Sequence, residues 1–166
     1  TGKTMTASAI AAELSLPLLS ILLDGVITKF MGETASKLRI IFDAMQTQRA
    51  VYFFDEVDAL AARRAAENDI GEARRMLNSF LQFLEDDTSS SIIIAATNHP
   101  ELLDPAIFRR FHGVLDYPLP DFEGAKRVLT TVLANFQPGS LDWARIEGAV
   151  GVLSPAELTL AARDAA

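Results

Sequence analysis

The chain opens on Thr1-Gly2-Lys3-Thr4, which matches the tail of the phosphate-binding pattern G-x-x-x-x-G-K-[ST]. In the whole pattern, backbone N–H groups wrap a polyphosphate, the lysine reaches its terminal oxygens and the hydroxyl residue binds Mg²⁺. A helix from Lys3 to about Leu14 would aim its positive dipole end at the same anion. Gly2-Lys3-Thr4 alone is a weak signal, because such tripeptides are common at helix starts. Val51-Tyr52-Phe53-Phe54-Asp55-Glu56 is stronger. Four apolar residues make a buried strand, and two carboxylates stand at its carboxyl end, where ligands sit in open α/β sheets. Two acids with separate tasks suit phosphoryl chemistry. Asp55 would hold Mg²⁺ through water, and Glu56 would orient and polarise the water that attacks the terminal phosphate. The plainer alternative is a solvated loop that starts at these acids and includes Asp58. Gly2-Lys3-Thr4 upstream weighs against it.

A second apolar run, Ile92 to Ala96, ends in Thr97-Asn98. The Asn98 amide offers donors and an acceptor together, so it can bond both an attacking water and a phosphate oxygen. Asn98-His99-Pro100 is also turn chemistry in its own right. His99 and His112 read as loop residues without partners at metal-ligand spacing. Further on, Asp104 and Pro105 supply an N-cap and a first helical residue, and the short helix delivers Arg109 and Arg110. Adjacent arginines are usually solvated surface. Downstream of a phosphate loop and paired acids, they suit fingers that stabilise charge on a phosphate bound to a neighbouring subunit, since guanidinium stays charged and bonds two oxygens at once.

These groups need a scaffold that brings them together. Leu18 to Leu23, Val51 to Phe54, Ile92 to Ala96 and, more weakly, Val114 to Tyr117 are continuous apolar runs, as expected of strands covered by helices on both faces. Between them, Leu38, Ile41, Phe42 and Met45 mark one helical stripe, and Met76, Leu77, Phe80, Leu81 and Leu84 another. Alternating strands and helices predict an α/β domain with a parallel sheet. After Pro118 only helices are predicted. Asp121 caps one with Val128, Leu129, Val132 and Leu133 inward, a turn falls at Gln137 to Ser140, and a short helix covers Trp143 to Ala149. Ser154-Pro155-Ala156-Glu157 is a capping box opening the last helix.

Composition narrows the functional classes. With 166 residues, 49% hydrophobic and 22% charged, the chain is of globular type and one domain's length. Its formal charge of −7 disfavours phosphate-rich partners and anionic membranes, and its arginines come in pairs rather than in a stripe. Without cysteine, disulfides and thiolate zinc sites are excluded, and a reducing cytoplasm is compatible. No stretch approaches the ~20 apolar residues of a membrane span.

The ordered set GKT, FFDEVDAL, AATN, LLDPAIFRRF and SPAEL resembles the AAA+ superfamily, in its AAA branch with the second region of homology. The resemblance covers essentially the whole chain, and several motifs in one order are far less frequent by chance than any one alone. It implies a P-loop NTPase core over 1–118 and a partial helical lid over 119–166, cut at the amino end inside the phosphate loop. The missing strand would lie between those ending at Asn98 and Tyr117, so the chain alone is expected to bind ATP poorly. Residue by residue, Gly2, Lys3 and Thr4 would be Walker A, Asp55 and Glu56 Walker B, Asn98 sensor 1, and Arg109 and Arg110 trans-acting fingers. Phe30-Met31-Gly32 resembles a pore loop that grips a translocating polypeptide. Equally, Phe30 and Met31 can pack on the following helix as a hydrophobic staple. The arginines depart from the family's usual spacing of two intervening residues, and Pro155 stands where Gly is common. The implied activity is ATP hydrolysis with ATP and Mg²⁺, coupled to remodelling of a protein substrate by a hexameric homo-oligomer in the cytoplasm. The alternatives are a nucleotide-gated assembly module with little turnover and a DNA-associated loader or helicase.

Overall fold

The apolar run at 51–54 forms the middle of a parallel sheet in the computed structural model, which describes residues 2–26, 33–62, 70–136 and 141–165. Strand β1 is Leu18–Leu22, β2 is Val51–Asp55 and β3 is Ile92–Ala95, in spatial order β1-β2-β3. Val51 lies between Leu18 and Ile92, and Phe54 between Ile21 and Ala95, so the three strands run out at one carboxyl edge. Parallel neighbours require crossovers. Helices α2 (Leu23–Val26) and α3 (Glu33–Thr47) lie between β1 and β2 in the chain, and α4 (Ala59–Ala62) and α5 (Ile70–Asp86) between β2 and β3. Helix α1 (Lys3–Glu13) precedes them all.

Side-chain alternation along β2 divides the packing. Phe53 clusters with Ala7 of α1 and Ala96, while Tyr52 and Phe54 join Leu38, Phe42 and Met45 of α3 and Met76, Leu77 and Phe80 of α5. Both predicted stripes therefore form the core. Phe42 stacks on Phe54 at 5.8 Å and on Phe83 at 5.3 Å, and Phe80 meets Phe54 edge-on at 5.3 Å. Such aromatic pairs contribute roughly 0.5–1.5 kcal/mol each beyond their area.

Two expectations need correction. Only β2 is buried throughout 51–54; every residue of β3, and three of the five in β1, are half-buried, because each has a single strand neighbour among the described residues. Val114 to Tyr117 forms no strand, and Leu115 is 71% exposed. A strand exists through its ladder, and no strand among the described residues pairs with this segment.

The chain divides into two compact units, Lys3–Val114 and Leu115–Ala166, the latter together with Thr1–Gly2. In the second, α7 (Phe122–Leu133), α8 (Trp143–Val150) and α9 (Pro155–Asp164) enclose Ala125, Leu129, Val150, Leu158 and Ala162. Asp121 caps α7 by accepting from the Gly124 N–H at 2.7 Å. The box predicted at Ser154 is formed: its N–H donates to Glu157 Oε2 at 2.8 Å, and the Glu157 N–H to Ser154 Oγ at 3.3 Å. The turn predicted at 137–140 lies outside the described residues. No helix among the described residues is long and apolar enough to cross a membrane.

Phe80 is fully buried and meets both Phe42 and Phe54 edge-on. Phe80→Ala is expected to cost about 3–5 kcal/mol of unfolding free energy, read from a urea titration. A second expectation concerns pH. Hydrogen bonds from the Ser154 side chain, and then from its backbone, hold the Glu157 carboxyl below its ordinary range. A carboxyl depressed on folding stabilises the folded state above its unfolded pKa and loses that contribution as pH falls through the folded value. Helicity of α9 should therefore decline with acidification below the ordinary carboxylate range. Circular dichroism of Ser154→Ala should show a flatter acid limb.

Candidate functional site

Strand β2 is apolar until Asp55, whose half-exposed side chain sits at the sheet's carboxyl edge. Its Oδ1 accepts from the Glu56 N–H at 3.0 Å. Glu56 then adopts φ 56°, a left-handed conformation that costs a non-glycine residue roughly 1–3 kcal/mol. The reversal puts Glu56 in solvent and lets the next residue, Val57, bury its side chain to 2% exposure. The Val57 N–H donates to Ala96 O at 3.0 Å, tying the exit of β2 to the exit of β3.

Strand β3 delivers Thr97 and Asn98 at the same edge. Asn98 is exposed, and its Oδ1 accepts from Lys3 Nζ at 2.8 Å across 95 positions of sequence. Lys3 is the first residue of α1, so its ammonium and the helix's unpaired N–H groups stand at one end of that helix. Thr4 follows it and is exposed. Gly2 falls in the second unit, where an added Cβ would meet the Tyr117 ring at 3.0 Å.

The structure thus joins Lys3 to Asn98 by a direct hydrogen bond and places Asp55 and Glu56 at the end of the adjoining strand. An ammonium, two carboxylates and an amide at one open edge can bind a polyphosphate and handle a water proton. Among the described residues no group of three or more His, Cys, Asp or Glu could hold a metal by itself. Mg²⁺ keeps several waters and is usually bound by one or two carboxylates with substrate phosphates. The Thr4 hydroxyl and the Asp55 carboxylate are donors of the right hardness.

The two arginines differ. Helix α6 (Pro105–Phe108) is capped by Asp104, which accepts from the Ala106 N–H at 2.9 Å, as predicted. At its exit Arg110 pairs with Glu85 near the end of α5, Nη2 to Oε1 at 2.5 Å. Arg109 is exposed and makes no ion pair among the described residues. Phe30, Met31 and Gly32 lie outside the described residues. His99 Nδ1 lies 3.0 Å from Glu101 Oε1, a partner the sequence did not suggest. The Glu101 backbone first, and His99 second, hold the Glu101 carboxyl below its usual range.

Sequence reasoning missed Glu85 and the partnership of Asp58 with Thr97, whose hydroxyl donates to Asp58 Oδ1 at 2.6 Å. Nothing local to either residue signals it. A cleft of about 430 Å³ between α3 and α5, lined by Arg39, Phe42, Asp43, Gln46, Gln82 and Phe83 among others, includes none of the candidate residues.

A family profile described as "ATPase family associated with various cellular activities (AAA)" matches residues 1–119. The chain is 41% identical over 157 residues to an uncharacterized AAA family ATPase, y4kL, of Sinorhizobium fredii, covering 95% of this chain and 47% of that protein. It is 36% identical over 136 residues to a proteasome-activating nucleotidase of Pyrococcus furiosus, covering 77% and 34%. It is 37% identical over 154 residues to 26S proteasome regulatory subunit 10B of Dictyostelium discoideum, covering 88% and 39%. The chain spans less than half the length of each of these relatives. With the profile matched over most of its residues and Lys3, Asp55, Glu56 and Asn98 at one sheet edge, the chain belongs to the AAA family of ATPases.

Proposed function

We propose that this protein hydrolyses ATP and couples the reaction to remodelling or translocation of a protein substrate, as a hexameric ring of identical subunits in the cytoplasm. The observation that carries the site assignment is the 2.8 Å bond between Lys3 and Asn98 beside the end of β2. It supports reading the lysine and the amide as parts of one site with Asp55 and Glu56. Relatives whose names place them with the proteasome support a protein substrate, and the −7 charge speaks against nucleic acid.

In this reading Lys3 holds the β and γ phosphate oxygens, and Thr4 and Asp55 hold Mg²⁺. When bound, the ion neutralises charge on the transferred phosphoryl group. Glu56 orients a water and takes its proton as the oxygen attacks the γ phosphorus, while the bond from that phosphorus to the β–γ bridging oxygen breaks and ADP leaves with the electron pair. Asn98 fixes that water and a γ oxygen from the side. Domain roles follow the same proposal: residues 1–118 form the ATPase core and 119–166 a helical lid, with Phe30, Met31 and Gly32 gripping substrate in the pore. The Arg110–Glu85 pair supports Arg109 as the guanidinium that reaches a neighbour's phosphate, with Arg110 setting the course of the segment.

In the full-length protein, Glu56→Gln should lower steady-state phosphate release at least about 100-fold while ATP still binds. Wild-type turnover in that variant would remove Glu56 as the base. Arg109→Ala should reduce kcat by about 10³-fold with nucleotide affinity retained. Arg110→Ala should be the milder of the two, and the opposite order would reverse the assignment.

A further inference from the structure

Behind the proposed acids lies a hydrogen-bond relay with no part in the reaction just described. Thr97 Oγ1 donates to Asp58 Oδ1 at 2.6 Å, and the His99 N–H donates to Thr97 Oγ1 at 2.9 Å. A threonine hydroxyl has one proton. With that proton committed to Asp58, its oxygen is left as an acceptor aimed at His99. The distance to Asp58 is in the range of charge-assisted O–H···O⁻ bonds, which are about twice as strong as neutral ones. Asp58 and Thr97 are both half-buried, so water competes less for the pair than it would at an exposed site.

Resting on the hydrolysis reading above, we infer that Asp58 and Thr97 are positioning residues which lock the Asn98 tip to the loop carrying Glu56. Asn98 is bracketed: Thr97 precedes it, and the next N–H returns to the Thr97 hydroxyl. Its amide is thereby presented at a set angle, with Oδ1 on Lys3. On the other loop, Glu56 holds its left-handed φ only while the residues after it are fastened. Val57 is fastened to Ala96 by its N–H, and Asp58 to Thr97 by its side chain. Two consecutive ties hold 57–58 against 96–97. The first is backbone and insensitive to side-chain identity. The second is written by two residues 39 positions apart and is open to mutation. Base and amide are thus set relative to each other by this pair, although neither Asp58 nor Thr97 need touch the nucleotide.

The test uses the full-length protein and ATPase kinetics. Thr97→Val keeps the branched shape and removes the hydroxyl. It should lower kcat about tenfold, with KM for ATP within about twofold of wild type, because geometry at the reacting atoms changes while phosphate binding persists. Thr97→Ser should restore kcat. Asp58→Ala should match Thr97→Val, and the double variant should be no worse than either single one, since the two act as one unit. Wild-type kcat in Asp58→Ala overturns the inference even if Thr97→Val fails to fold, and so does a multiplicative loss in the double variant. Glu56→Gln run alongside separates the readings. If it is inactive while Asp58→Ala and Thr97→Val turn over normally, only the positioning role falls. If it hydrolyses at the wild-type rate, the hydrolysis reading falls and this inference with it.

Discussion

Burial of β2 on both faces is the constraint on which the rest of the Lys3–Val114 unit depends. Each residue from Val51 to Phe54 is at most 2% exposed, with α1 against one face and α3 and α5 against the other. Sliding the strand by one residue would exchange Phe53 and Phe54 between unlike surroundings, a small cluster of alanines and a large aromatic core. The register is therefore held, and Asp55 emerges at the edge because the core ends there. Parallel pairing with β3 brings Thr97 and Asn98 out beside it.

The polar groups at this edge cost the fold little. Glu56 and Asn98 are exposed, and the ammonium of the half-buried Lys3 is bonded to Asn98, so none carries the penalty of a buried, unpaired charge. The local expense is the left-handed Glu56, of order 1–3 kcal/mol. Burial of Val57, roughly 1.5–3 kcal/mol, and its bond to Ala96 O, about 0.5–1.5 kcal/mol, offset it. A strained acid is thus kept at the sheet edge by an apolar anchor one residue away.

The adjacent arginines show how position can matter where energy does not. The Arg110–Glu85 pair is substantially exposed, and such pairs contribute at most about 1 kcal/mol. Its consequence is directional. One guanidinium is occupied within the chain, at the end of α5, and the other is left in solvent at the exit of α6. Two arginines without spacing between them are thereby made unequal.

Local physics was legible in the residues themselves. The stripes of α3 and α5, the continuous run of β2, the Asp104, Asp121 and Ser154 caps and the capping box all rest on neighbours within a few positions, and all are present. Chemistry was legible as residue types: a lysine at a helix start, two acids after a buried strand, an amide after another. What the sequence could not reveal are the pairings Lys3–Asn98, Thr97–Asp58 and Arg110–Glu85. Nor could it reveal that Val114 to Tyr117, apolar enough for a strand, has no ladder among the described residues. Strand order and register decide which polar groups meet across long separations. Both are properties of the packed sheet, whereas periodicity and capping act within a turn or two of chain.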